Sequence, residues 1–241
     1  MKICAVQLRP IAGDVAANTA RHERFIGRAG ANSADLVFFP ELSLTGYEPR
    51  LATTLAMHLA DARLDVFQEQ SDAQHIIIGI GVPLSHGSQV QIGMVWFTPG
   101  APRRSYAKQQ LHADELPYFV QGEDQLVLEA AGHTLAPAIC YESLQSSHAA
   151  GAATLGTNVY LASVAKPEHV MARALRHYSD IARQHDMYVC LASCVGPSDD
   201  FVSVGQSAVW NPRGELLAQM DGESEGMVMV DTGDGTAVTV S

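Results

Sequence analysis

The sequence predicts an α/β fold made of two sheets with helices packed outside them, a layered sandwich. Three observations carry this. Strand-like and helix-like segments alternate at both ends of the chain, the middle is a series of short strands punctuated by Gly and Pro, and 47% hydrophobic against 17% charged residues supplies a sizeable core for 241 residues. No Ser/Gly/Pro-rich linker or charge block interrupts the chain, so one domain over 1–241 is expected.

The elements follow in order. "KICAVQL" reads as a strand, and "DVAANTARHERFIGRAGA" as a helix with Asp14 as N-cap and Val15, Thr19, Phe25, Ile26 and Ala29 on one side. "DLVFFP" is a continuous apolar run closed by Pro40, the pattern of a strand buried on both faces. Residues 51–73 are Ala/Leu-rich without internal Gly or Pro and predict one helix. "HIIIGIGV" is another buried strand. In the middle, "VQIGMVWF", "RRSYAK", "QLVLEA" and "HTLAPAIC" read as short strands, with hairpins at Pro99-Gly100 and Ala131-Gly132. Then come a helix in "SLQSSHAAGAA", a strand in "NVYLASVA", a long helix in "PEHVMARALRHYSDIARQHD" and a strand in "MYVCLASC". "SVGQSAVWN", a turn at 212–214 and "GMVMVD" complete the chain.

Charge and composition exclude several classes. With 15 basic and 26 acidic residues the net charge is −11, which argues against nucleic acid or an anionic membrane as partner. Cys190 and Cys194 are four apart with no His cluster nearby, so zinc is not expected, and four cysteines do not make a disulfide scaffold. The N-terminus lacks the long apolar stretch of a signal peptide, and no run approaches the ~18 apolar residues of a membrane span, so a cytoplasmic location is expected. There is no G-x-S-x-G elbow, Walker loop, dinucleotide fingerprint or H-E-x-x-H.

In α/β sheets, sites form beyond the carboxyl ends of strands. Three such ends carry reactive groups: Glu41 after "LVFFP", Lys108 after "RRSYA" and Cys140 after "LAPAI". The types suit nucleophilic catalysis. An ammonium and the start of a helix just after Cys140 would lower the thiol pKa. A carboxylate would take its proton. The ammonium and the Tyr141 backbone N–H would hold an oxyanion. A Cys-His hydrolase using His133 or His148, and a non-catalytic ligand-binding sandwich, are the competing readings.

The contexts of these residues resemble the nitrilase superfamily of carbon–nitrogen hydrolases over nearly the whole chain. "AVQLRPIAGDVAANTA" is similar to the family's opening stretch, "ADLVFFPELSLTGY" to its Pro-Glu segment, "YAKQQLHADELPYFVQGE" to its lysine segment, "APAICYES" to its nucleophile segment and "GQSAVWNPRGELLA" to its late strand and turn. The resemblance implies a four-layer α-β-β-α sandwich with two mixed sheets, and a Glu41-Lys108-Cys140 triad with Glu115 as second glutamate. It further implies no metal or organic cofactor, a small-molecule amide-type substrate, and a homodimer or larger homo-oligomer. N-carbamoyl amines and nitriles are the alternative substrates. The chain departs from the family at "SLQSSH" and "IARQHD", where pocket shape is set. Tyr47, Tyr118, Glu142, Ala165 and Lys166 are the expected pocket residues. Lys166, at the end of "YLASVAK", would grip the carboxylate of an anionic ω-amide, unless it simply starts the next helix in water.

Overall fold

The computed structural model describes residues 1–241. In chain order the strands and helices are β1 (Lys2–Gln7), α1 (Val15–Ala31), β2 (Leu36–Phe38), α2 (Ala52–Leu55), α3 (Asp65–Gln74), β3 (Ile77–His86), β4 (Gln89–Phe97), β5 (Arg104–Ala107), β6 (Leu128–Ala130) and β7 (His133–Ile139). Then follow α4 (Ser146–Thr154), β8 (Val159–Val164), α5 (Glu168–His185), β9 (Tyr188–Ser193), β10 (Val195–Ser198), β11 (Phe201–Val204), β12 (Ala208–Trp210), β13 (Leu216–Gln219), β14 (Gly226–Asp231) and β15 (Thr236–Val240).

One sheet has the order β15-β14-β1-β2-β3-β4-β5, the other β13-β12-β9-β8-β7-β6. Each is mixed. β1-β2-β3 and β7-β8-β9 are parallel cores, and the outer strands pair antiparallel. Successive side chains of a strand point to opposite faces, and the apolar runs use both. Leu36 and Phe38 of β2 face the second sheet, whereas Val37 packs on the helical layer with Phe25, Ile26 and Phe67. In β8, Val159 and Leu161 face the first sheet, and Tyr160, Ala162 and Val164 pack against Ala149, Met171 and Tyr178 of α4 and α5. The layers are therefore α-β-β-α, as expected.

Some expectations need correction. Residues 51–73 do not form one helix. α2 ends at Leu55, Ala56 is extended, and Met57 pairs with the edge of β3, donating its N–H to Pro83 O (2.9 Å) and accepting from Ser85 N (2.9 Å). β2 covers only Leu36–Phe38, so the rest of the β3 edge needs partners, and that tertiary demand overrides local helix propensity. On α1 the buried face is Asn18, His22, Phe25, Ile26 and Ala29, with Thr19 at its margin; Asp14 does cap the helix. Beyond the expected elements, β15 adds a β-branched edge strand antiparallel to β14.

The two sheets are tied at one end. Val195 N, beyond β9 at the start of the separate β10-β11 pair, donates to Leu8 O beyond β1 (2.9 Å), and Ser163 Oγ on β8 donates to Phe39 O beyond β2 (2.8 Å). The carboxyl ends of β2, β7 and β8 thereby meet across the interface.

Candidate functional site

Three loops bring reactive groups to this end. Beyond β2 the chain turns at Pro40-Glu41-Leu42, with Leu42 in the left-handed region (φ 50°). The turn lies directly on β3, where Leu44 N donates to Gly81 O (3.0 Å). Only glycine fits there, because a Cβ on Gly81 would collide with the Pro40 carbonyl and sit 2.6 Å from Leu42 N. Lys108 follows β5 and still pairs with β4 through Ile92 O (2.8 Å). Cys140 follows β7 at φ 47°, a conformation that a non-glycine residue holds only where its surroundings enforce it. Cys140 N donates to Ser163 O (3.0 Å), and its own carbonyl accepts from Ser143 Oγ (2.6 Å).

Glu41, Lys108 and Glu115 form a dry cluster, none more than 2% exposed. Lys108 Nζ donates to Glu41 Oε1 (2.8 Å) and Glu115 Oε1 (2.6 Å). Glu115 is oriented in turn by the Tyr47 hydroxyl (3.0 Å) and His112 N (2.7 Å). Burial alone would discharge the Lys108 ammonium, but Glu41, Cys140 and Glu115 together outweigh it and hold its pKa above the ordinary range. Burial pushes Glu41 above the usual carboxylate range, Lys108 pulls it back, and Glu115 adds to the push. The second carboxylate oxygen of Glu41, Oε2, is buried without a hydrogen-bond partner. That is the atom free to receive a proton.

Of the four cysteines, only Cys140 is not fully buried. Burial pushes its thiol up to about 11 and the Glu41 carboxylate adds to this, while Lys166 and Lys108 oppose it. Cys4, Cys190 and Cys194 are core thiols that burial raises. Neither candidate histidine serves Cys140. His148 is buried between the hydroxyls of Tyr106 (2.9 Å) and Tyr160 (2.7 Å), with its pKa lowered by burial to about 4, and His133 bonds Asn158 and Thr232. The geometry disfavours a Cys-His pair.

The expected pocket residues are placed unevenly. Tyr47 sits on Glu115, with the ring of Phe201 from β11 at 5.5 Å, a neighbour that nothing local in the sequence announces. Ala165 is buried, and its carbonyl accepts from Cys140 Sγ (3.5 Å). Tyr118 turns outward at 41% exposure while its neighbour Phe119 enters the core.

Glu142, expected to line the pocket, is turned inward. It is fully buried, and its carboxylate accepts from Ile139 N (2.7 Å), Tyr106 OH (2.7 Å), Gln109 N (2.6 Å) and Gln110 N (3.3 Å). Burial pushes it up to about 7 against the pull of these donors. It ties the nucleophile turn to the Lys108 loop. The helix expected just after Cys140 is also shorter than foreseen. Glu142–Leu144 is a single 3-10 turn, and α4 begins only at Ser146. Lys166 lies neither in water nor at the far end of a pocket. It is 2% exposed, with Nζ 3.2 Å from Cys140 O and 3.4 Å from Cys140 Sγ.

No three His, Cys, Asp or Glu side chains converge so as to hold a metal ion, and no helix is long and apolar enough to cross a membrane. A polar surface groove of about 530 Å³, lined by Ser146, His177, Asp180 and Arg183 among others, lies away from the cluster.

Comparison with known proteins places this geometry in context. The family model described as carbon-nitrogen hydrolase matches residues 2–236. Among curated proteins, the glutamine-dependent NAD(+) synthetase of Acinetobacter baylyi is 26% identical over 90% of this chain and 41% of its own length. That of Thermotoga maritima is 28% identical over 90% of this chain and 39% of its own. The chain thus spans less than half the length of these relatives. Among solved structures, the NitN amidase of Nesterenkonia sp. AN1 superposes with a TM-score of 0.85 at 24% identity, covering 96% of this chain and 92% of that one. The glutamine-dependent NAD+ synthetase of Acinetobacter baumannii gives 0.81 at 24% identity, covering 100% and 47%. At this identity the superpositions show the shared fold.

Proposed function

Because the chain belongs to the carbon–nitrogen hydrolase family, enzymes that act on C–N bonds, we propose that it hydrolyses a small amide through a thioester on Cys140, with Glu41 as base and Lys108 as oxyanion ligand. The observation that carries this reading is the dry Lys108 bridge between Glu41 and Glu115, with Glu41 Oε2 left unpartnered. Glu41 takes the Cys140 proton and the thiolate attacks the amide carbonyl. Lys108 and the Tyr141 backbone N–H stabilise the developing oxyanion. The C–N bond breaks, Glu41 returns the proton to the departing amine, and ammonia leaves. Water, deprotonated by Glu41, then cleaves the thioester, releasing the acid and restoring the thiol. Glu115, itself held by Tyr47, keeps Lys108 in place to receive the carbonyl oxygen as it becomes the oxyanion.

Two comparisons bear on the substrate. The Nesterenkonia amidase has been captured with butyramide, and with the acetamide moiety of fluoroacetamide on its active-site cysteine, which supports a small primary amide. The curated relatives are named glutamine-dependent, which favours, as a second reading, the ω-amide of glutamine with ammonia passed to a synthetase partner. A panel of small amides, glutamine, N-carbamoyl amines and nitriles, assayed for ammonia release, separates these. Cys140→Ala abolishes release without loss of the folded state, while Ala at Cys4, Cys190 or Cys194 is tolerated. Wild-type ammonia release by Cys140→Ala would overturn the mechanism.

A further inference from the structure

Lys166 is a buried ammonium without an acid. No carboxylate lies within ion-pair distance of it, whereas Lys108, equally buried, has two. A buried charge without a counter-charge is costly, and the group within reach of Lys166 Nζ that can become an anion is the Cys140 thiol, its sulfur 3.4 Å away. The charges around the sulfur point the same way. Two carboxylates, Glu41 and Glu115, face one ammonium, Lys108, which leaves a surplus negative charge opposing any thiolate. Lys166 brings the set to neutrality. The other titratable groups facing Cys140 are Tyr47, Tyr178 on α5 and Cys194 beyond β9, and burial raises all three, so they stay neutral.

We propose that Lys166 is a further catalytic residue, the counter-ion of the Cys140 thiolate, and that the two lysines divide the site between them. Lys108 is hydrogen-bonded to Glu41 and stabilises the carboxylate before proton transfer. Lys166 is hydrogen-bonded to the sulfur and stabilises the thiolate after it. The step moves one proton from Cys140 Sγ to Glu41 Oε2 and changes no other bond. Lys166 thus sets how much of the resting enzyme holds the proton on Glu41, with the sulfur ready to attack. This rests on Cys140 being the nucleophile. It also replaces the sequence-based role of Lys166 as an anchor for a substrate carboxylate, since its ammonium is engaged at the reacting atom.

The test is alkylation of Cys140 between pH 5 and 10, read by mass spectrometry of the Cys140 peptide. Wild type, Lys166→Met and Lys166→Arg are compared, with Cys140→Ser as blank and thermal melts as a check on folding. With neutral iodoacetamide, Lys166→Met should react at least about tenfold more slowly at pH 7 and regain the wild-type rate only about one pH unit or more higher, tenfold in rate corresponding to one unit of pKa. Lys166→Arg keeps the charge and should stay within about threefold of wild type at pH 7; it carries the test if the Met variant does not fold. Iodoacetate should show the same loss as iodoacetamide. A folded Lys166→Met whose profile overlays wild type, or Lys166→Arg as slow as tenfold, overturns the proposal. So does a loss confined to iodoacetate, which would return Lys166 to a substrate carboxylate. If Cys140→Ser releases ammonia at the wild-type rate, the assignment of the nucleophile fails instead.

Discussion

Glu115→Gln tests the electrostatics of the cluster most directly. The substitution keeps side-chain length but removes one of the two anions that hold Lys108 Nζ, the partner at 2.6 Å. It also puts an amide where Tyr47 OH and His112 N both donate, at 3.0 and 2.7 Å, so the amide NH₂ must oppose at least one donor. A hydrogen bond to a charged group contributes about 1.5–3 kcal/mol. If that orientation is needed only when the oxyanion forms, kcat falls by about 10- to 150-fold at 1.36 kcal/mol per decade. Glu41 changes too. Glu115 helps raise the Glu41 pKa, so its removal lets Glu41 ionise at lower pH and makes it a weaker base. A base must be ionised to act, so the acid limb of the pH–rate profile shifts to lower pH while the plateau drops. The assay is ammonia release on the best amide of the panel, as kcat and kcat/KM against pH. A Glu115→Gln enzyme within threefold of wild type, or one whose acid limb moves to higher pH, would refute the reasoning.

Three further outcomes are expected. Lys108→Arg does not restore activity, because a planar guanidinium cannot take the place of a compact ammonium bonded to two carboxylates at 2.8 and 2.6 Å; a loss of about 10²–10³ in kcat is expected, and one under tenfold counts against Lys108 as oxyanion ligand. Gly81→Ala drives a methyl into the Pro40 carbonyl and displaces the Glu41 turn, costing about 1–3 kcal/mol of stability and about 10² in kcat, read by thermal melting and ammonia release; an unaffected kcat would show that the turn does not depend on this close approach. Light scattering at micromolar concentration should give a mass above the 25.8 kDa of one chain, and a monomer across that range would remove the expected homo-oligomer.

Much of this molecule was legible from local pattern. Apolar runs such as "LVFF" and "VYLASV" are buried on both faces, and their length, with Pro40 or Pro167 beyond, marks where the strands stop and the loops begin. Glu41, Lys108 and Cys140 could be singled out because each stands just beyond a strand, apolar and buried for Glu41 and Cys140 and a more exposed edge strand for Lys108, a property carried by covalent neighbours. What each side chain touches depends on residues far away in the chain, and local pattern does not encode that. The helix expected over 51–73 breaks because β3 needs partners along an edge that the short β2 leaves open. Glu142 is a tie rather than a pocket wall because the Lys108 loop folds its N–H groups onto the carboxylate. The signal for Lys166 was present, a lysine just beyond a mostly apolar strand, but local pattern did not reveal whether it points to water or to sulfur. Local pattern was enough for the layers, the strand ends and the chemical types gathered there. The packing of two sheets, joined at one end through Leu8–Val195 and Phe39–Ser163, decided which charges meet. Burial and proximity are properties of the assembled interior, where charges act on one another far more strongly than in water.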